Sequence, residues 1–448
     1  MKHDDQSFRI DGNTYNETID YLYGLQLHGI KLGLKNIGRL LNLLDNPHKT
    51  FRSVHIAGTN GKGSVASFIA SVLRRAGYKV GMFTSPHLVS FTERIRVNGI
   101  QINRAEIIRA TNHIRKLINA EKELKPTFFE FVTAMAFHYF RTSGVQWAVV
   151  ETGMGGRLDA TNTLSPEITV ITRIGMDHME YLGNTLEDIA GEKAGIIKKG
   201  IPVVTGRQDD RAIKVIREEA GMKQSPVYSY GRDFGIQITG SGIKGSRFDY
   251  SSGNKIMDIF IPLGGYFQPE NASAAIKALE IIGCPELSND IIREGLASTR
   301  WEGRCELVHW KYPILFDGAH NPDAAQSLGK TLKGLYLKEF KDIIFIMGSM
   351  EDKDIDGHLR YLLPLGRLII FTTLGFHRAA TAEGLRAISK KAGLNSIIAG
   401  DMAEALELAG THYREGDLVA VTGSFYAVGE AKGVIGCDSS LIGLTEFR

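Results

Sequence analysis

Residues 58–64 read GTNGKGS, three glycines and a lysine where an apolar run, Ser53–Ala57, gives way to a helical pattern. Glycines at such a turn let backbone N–H groups approach phosphate oxygens. The helix start adds its positive end, and Lys62 offers a point charge to the terminal phosphates. Gly58, Thr59, Asn60, Gly61, Lys62, Gly63 and Ser64 are therefore candidates for holding a nucleotide. The spacing departs from GxxxxGK[ST], since Ile56 stands where the first glycine belongs and Gly63 separates Lys62 from Ser64. A βα turn that binds nothing is the competing reading. The glycines, lysine and serine together favour phosphate.

Other strand-like runs end in polar residues of the same kind. Val80–Thr84 runs into Ser85, Pro86 and His87; Trp-Ala-Val-Val ends in Glu151; and the run from Ile168 leads to Asp177 and His178. In an open parallel sheet, loops at the carboxyl ends of strands meet in one crevice. Lys62, Ser85, Glu151 and His178 could then converge. A hydroxyl and a carboxylate beside a triphosphate suit magnesium, with a histidine as a less usual ligand. Each residue taken alone is more often structural.

The helical run TLEDIAGEKAGIIKKG opens with a capping pattern, Thr185 to Asp188, and places Lys193 on an apolar stripe with Leu186, Ile189, Ala190 and Ile197. A lysine there either snorkels to water or is held inside as a lowered-pKa amine, and the helix by itself favours snorkelling. Further on, Gly265-Tyr-Phe-Gln-Pro-Glu-Asn271 opens a helix expected over Ala272–Ile282. Its amides could read an adenine edge or simply cap that helix. Arg304 follows Trp301 at an expected domain junction, and Asp317 and His320 stand at another strand end. No nucleophile–base–acid triad is apparent.

The elements that must position these residues alternate between short β-rich and helical runs, which implies mainly parallel sheets covered by helices. Strands are expected at Ser53–Ala57, Val80–Thr84, Trp147–Glu151 and Ile168–Arg173. Helices are expected at residues 34–45, Val65–Ala76 and Phe128–Phe140. Residues 226–265 alternate polar and apolar and suggest an antiparallel excursion attached to the first sheet. Strand–helix alternation restarts with Tyr312–Phe316, Ile343–Met347, Leu368–Thr372 and Leu418–Val421. The expected fold is α/β, with residues 1–298 as a P-loop-type domain and residues 304–448 as a smaller Rossmann-like domain.

Composition sets the outer limits. The 448 residues are 43% hydrophobic and 23% charged, with 53 basic against 50 acidic side chains and a net charge of +3. That balance gives no support for a nucleic-acid or anionic-membrane binder. The three cysteines, Cys284, Cys305 and Cys437, are widely spaced and read as reduced thiols. The polar start argues against a secretory signal, and no apolar run is long enough for a membrane span. A cytoplasmic protein is expected.

As an ordered set, GTNGKGS, TSPHL, ERI-VNG, FFEF-TAMAF, GGRLDATN, DH-EYLG-T-EDIAGEKAGI, WEGR, DGAHNP and VTGSFY-VGE resemble folylpolyglutamate synthases and bifunctional dihydrofolate synthases of the Mur-ligase superfamily. The likeness runs from about residue 35 to 430 and is loose over 226–260. It implies an ATP-dependent ligase joining a folate, or dihydropteroate, to L-glutamate through an acyl phosphate. It further implies Lys62 on the β/γ phosphates and Ser85, Glu151 and His178 on one magnesium ion. Lys193 would be a carbamate, made from CO2, on a second magnesium ion, and a potassium ion is a further expectation. Asn271, Arg304, Asp317 and His320 would hold ATP from both sides of the cleft. Folate would lie near Pro86, His87, Arg157 and Asp159, and Arg378 would face the glutamate. A monomer is expected. The alternatives are a nucleotide switch or kinase-like NTPase with no amide-forming step, a dihydrofolate synthase alone, and a cell-wall Mur ligase. The last is disfavoured because the phosphate loop comes so early.

Overall fold

The computed structural model describes residues 9–436 apart from 11, 29–32, 122, 377 and 391–394; Cys437 lies outside the described residues. The first sheet has eight strands: β1 (Arg52–Ala57), β2 (Val80–Phe83), β3 (Ile95–Val97), β4 (Ile100–Gln101), β5 (Trp147–Glu151), β6 (Ile168–Ile171), β7 (Val203–Thr205) and β8 (Val227–Ser229). They lie in the order β4-β3-β2-β5-β1-β6-β7-β8. The strands from β2 to β8 pair in parallel, and β3 and β4 close one edge as an antiparallel meander. Every residue of β2, β5 and β6 is buried, as expected of parallel strands covered on both faces.

Two layers cover this sheet. On one face Phe68, Ile69 and Val72 of the helix Lys62–Arg75 pack with Ala275, Ile276 and Leu279 of the helix Gln268–Ile282. On the other, Phe131, Met135 and Phe140 of the helix Phe128–Thr142 meet Ile37, Leu40 and Leu41 of the helix Lys35–Leu43. Loops leave adjacent central strands at one end, so residues following β1, β5 and β6 necessarily face a common space.

The expected antiparallel excursion is present, over narrower bounds than 226–265 and as a sheet of its own. Val227–Ser229 is the eighth parallel strand of the main sheet, whereas β9 (Gly235–Gly242), β10 (Gly245–Ser251) and β11 (Lys255–Ile261) form a separate three-stranded sheet. Its buried face carries Phe248, Tyr250, Ile256, Ile259 and Ile261, which pack with the apolar side of the helix Gln268–Ile282. The alternation seen in the sequence is that of a sheet with one buried face.

The second large sheet contains β12 (Glu306–His309), β13 (Pro313–Phe316), β14 (Ile343–Met347), β15 (Gly366–Thr372), β16 (Ser396–Ala399) and β17 (Leu418–Thr422), in the order β12-β13-β17-β14-β15-β16. Only β12 runs antiparallel. Helices Pro322–Gly334 and Ile355–Leu362 cover one face, and Met402–His412 and Phe425–Ile435 the other. Among the described residues no helix is long and apolar enough to cross a membrane. Cys284 and Cys305 are buried free thiols.

Candidate active site

A cavity of about 870 Å³ opens between the carboxyl ends of the two parallel sheets, with the glycine-rich turn on one wall. The turn joins β1 to the helix Lys62–Arg75, with Gly58 at φ +148° and Gly61 at φ +92°. A Cβ on Gly58 would lie 1.9 Å from Thr172 Oγ1, and one on Gly63 would lie 2.8 Å from the Trp301 ring. The close approach of Trp301 therefore gives Gly63 a packing reason beyond loop flexibility.

The N–H groups of Thr59 and Asn60 do not face the cleft. Both donate to the Arg173 carbonyl, at 2.9 and 3.2 Å. The free backbone donors are instead those of the first helical turn, at Lys62, Gly63 and Ser64, which have no intrahelical acceptor. Thr59 Oγ1 ties the turn to the Gly175 backbone. We expect Gly58→Ala to displace the turn from Thr172 and weaken nucleotide binding at least about tenfold, measured by titration with a fluorescent ATP analogue. Unchanged affinity would show that this turn does not hold the nucleotide.

Lys62 Nζ lies 3.2 Å from the Thr59 carbonyl and 3.7 Å from Glu151 Oε1. Glu151 ends β5, buried at 4% exposure. Its nearest donor otherwise is Ser85 N–H, at 3.4 Å. These are long contacts for a buried carboxylate, which normally takes short charge-assisted bonds. Burial raises its pKa, against the pull of Lys62 and Arg304. An under-paired carboxylate of this kind, in a cavity that Ser85 and His178 also line, could take an oxygen-preferring cation. Among the described residues no three His, Cys, Asp or Glu side chains form a metal cluster of their own. A magnesium ion held there would need water or phosphate oxygens to complete its shell. His178 adopts a left-handed backbone, φ +50°, after β6, and desolvation lowers its pKa to about 4 against the pull of Asp177.

Lys193 does not snorkel. It is 4% exposed, and its Nζ donates to the Gly58 carbonyl at 2.9 Å. Burial, then the charge of Lys62, lowers the amine to about 7, against the pull of Asp177 and Asp159. An apolar stripe carries this lysine because its tip reaches under the phosphate turn.

The amide pair works as a relay rather than a cap. The helix begins at Gln268 with Phe267 as N-cap, and no side chain caps it. Gln268 Nε2 donates to Ser64 Oγ at 3.3 Å, and Asn271 Nδ2 donates to Gln268 Oε1 at 3.1 Å. Asn271 thus lies against Gly61, where an added Cβ would meet its Oδ1 at 2.6 Å.

The second sheet supplies the opposite wall. Asp317, at the end of β13, is buried and accepts from Cys305 N and Ala319 N at 2.9 Å each. Burial raises its pKa, opposed by Arg304. The Arg304 guanidinium lies 4.1 Å from the Phe425 ring centroid. His320 Nδ1 faces the Gly318 carbonyl at 2.9 Å, and Nε2 faces Asp177 Oδ2 at 3.2 Å. Arg378 lines the same cleft.

Of the expected substrate residues, Arg157 and His87 lie outside the cavity lining, whereas Asp159 lines it with its carboxylate already engaged. Arg157 is paired with Glu192 at 3.3 Å and donates to the Gly191 carbonyl. The Asp159 carboxylate accepts from Gly153 N, Met154 N, Thr161 N and Thr161 Oγ1, so it staples its own loop. His87 is buried behind the wall, where its Nδ1 accepts from Arg94 Nε at 2.8 Å. Pro86 does line the cleft. Arg94 itself lines the cleft too; it stands in the ERI-VNG motif but was given no role. Lys353, joined at 2.7 Å across the cleft to the strand-end residue Asp177, was also missed. Reading the strand end after β14 as closely as those after β5 and β6 would have found Lys353.

Residues 56–279 match the Mur ligase middle domain, and residues 303–425 match the Mur ligase glutamate ligase domain. The dihydrofolate synthase/folylpolyglutamate synthase of Bacillus subtilis is 36% identical over 426 residues, covering 93% of this chain and 98% of that one. This chain belongs to the Mur ligases. Among solved ligases, Mycobacterium tuberculosis folylpolyglutamate synthase complexed with ADP superimposes with a TM-score of 0.88 at 30% identity, covering 95% and 99% of the two chains. Escherichia coli FolC in complex with DHPP and ADP gives 0.85 at 31% identity, covering 94% and 98%. The motifs that suggested the family thus lie on a backbone shared with it almost end to end.

Proposed function

We propose that this Mur ligase uses ATP to join L-glutamate to the carboxylate of a folate. The observation that carries the reading is the meeting, in one cleft, of the phosphate turn, the under-paired Glu151 and the buried amine of Lys193. A carboxylate is a poor electrophile, so its oxygen first takes the γ-phosphoryl group of ATP and ADP leaves. The glutamate amine then attacks the acyl carbon, loses a proton, and phosphate departs. The demand on the protein is to position the reactants and neutralise developing negative charge.

In this reading Lys62 and the N–H groups of the first helical turn face the β/γ phosphates, while Asn271, Arg304, Asp317 and His320 hold the rest of the nucleotide. Ser85, Glu151 and His178 would hold one magnesium ion, which would supply positive charge to the phosphates. The neutral Lys193 amine would add CO2 and release a proton, and the carbamate so formed would offer oxygen ligands to a second ion. Burial of the amine supports this, since a neutral buried amine is nucleophilic. The folate lies along the Pro86 wall, and Arg378 faces the glutamate. Residues 1–298 form the ATP-binding unit and 304–448 the glutamate-ligase unit of a cytoplasmic monomer.

Dihydropteroate belongs to the same proposal as a second acceptor. The deciding experiment supplies ATP, Mg2+ and labelled glutamate with tetrahydrofolate or dihydropteroate separately. Labelled amide product from both acceptors is expected. Label entering with tetrahydrofolate alone would remove the dihydrofolate synthase activity. ADP release that ignores glutamate would replace the ligase with an NTPase.

A further inference from the structure

The loop after β6, residues 172–178, touches both halves of the cleft. Its backbone holds the phosphate turn: the Arg173 carbonyl accepts from Thr59 and Asn60, and Gly175 exchanges hydrogen bonds with Thr59 Oγ1. Its side chains reach across the cleft. Arg173 pairs with Asp323 through two nitrogens, at 2.8 and 2.7 Å. Asp177, with a side chain 7% exposed, accepts from Lys353 Nζ at 2.7 Å and from His320 Nε2 and Asn321 Nδ2 at 3.2 Å each. All three donors belong to the second sheet's loops, and the fourth, His178 N–H at 2.9 Å, is local. Asn60, in the phosphate turn itself, exchanges amide hydrogen bonds with Asn321 at 3.2 and 3.1 Å. Asn321 also caps the helix Pro322–Gly334, so this contact fixes the start of a whole element.

We propose that Asp177 is a positioning residue: it latches the second-sheet half over the phosphate turn, so that nucleotide seating and closure of the cleft occur together. The inference rests on the ligase reading for its kinetic consequence but not for its structural one. A carboxylate buried among three donors from another unit loses all three when the cleft opens, and partial opening does not yet admit the water to replace them. Its removal leaves Lys353 facing His320 without the intervening negative charge. Since the same loop backbone holds Thr59 and Asn60, a nucleotide that orders the turn also orders Asp177. Closure by such a contact acts on turnover and substrate affinity together.

The test compares wild type, Asp177→Asn, Lys353→Met and the double variant. With a nonhydrolysable ATP analogue bound, small-angle scattering is expected to give a larger radius of gyration for each variant than for wild type. kcat/KM for glutamate is expected to fall about tenfold or more in each single variant, with ATP KM raised about threefold or more, since seating and closure are coupled. The double variant should be no worse than the poorer single one, because both remove the same contact. A radius equal to that of wild type in Asp177→Asn, or losses that multiply in the double variant, would overturn the latch. If Asp177→Asn proves insoluble, Lys353→Met alone decides the scattering comparison. Wild-type turnover independent of glutamate would sink the ligase reading and leave the scattering result standing as the measure of the latch.

Discussion

Lys193→Ala is expected to lower kcat for ligation about a thousandfold, with the thermal midpoint little changed. The side chain sits 4% exposed with its amine on the Gly58 carbonyl, so its removal strips the phosphate turn of its underside contact. It also removes the group proposed to become an anionic ligand. The fold has less to lose: the buried amine already pays for desolvation, which offsets the single hydrogen bond given up, worth about 1 kcal/mol. Lys193→Arg is expected to be equally inactive, because a guanidinium keeps the charge and does not add CO2 at neutral pH. Depleting bicarbonate from wild type should reproduce part of the loss. Steady-state assays of glutamate incorporation decide the matter, and activity of Lys193→Ala within a few-fold of wild type would remove the carbamate.

Lys62→Ala is expected to cost about a hundredfold or more in kcat/KM for ATP. Two effects add. The point charge aimed at the terminal phosphates is gone, and Glu151 loses the cation that stands 3.7 Å away. With Lys62 absent, burial acts on Glu151 against Arg304 alone among the charges, so its carboxyl rises further above the usual range. A neutral Glu151 is a poorer cation ligand, and the requirement for Mg2+ should therefore shift to higher concentration in the same variant. An unchanged ATP dependence would end the assignment of this turn to phosphate.

What could be read from the sequence follows the physics of burial. Trp147–Glu151 and Ile343–Met347 were legible to the residue because a parallel strand covered on both faces is a continuous apolar run. The edge strands Glu306–His309 and Ser396–Ala399 were not, since they are short and half-buried and carry no such run. Val227–Ser229 was absorbed into the antiparallel reading for the same reason. The helix expected to begin at Ala272 begins at Gln268, where Pro269 in the first turn was an unused start signal.

The site divides in the same way. Ser85, Glu151 and His178 could be placed because residues after central parallel strands share one crevice. Lys193 could be placed on an apolar face, but whether it snorkels depends on what its tip meets, and that is a carbonyl 135 residues away. Asp177 and Lys353 are 176 residues apart, and neither carries a local pattern that names the other. Arg157 and Asp159 stand in a motif loop, yet one turns to Glu192 and the other is consumed by its own backbone.

Trp301 presses on Gly63 at the start of the phosphate-binding helix, whereas Trp147 is sealed in the core beneath the first sheet. Of the chain's three indoles, this one packs against the turn proposed to hold phosphate. On the proposed reading, nucleotide binding that shifts this turn should change Trp301 emission, and a spectrum unaltered by ATP would count against that coupling.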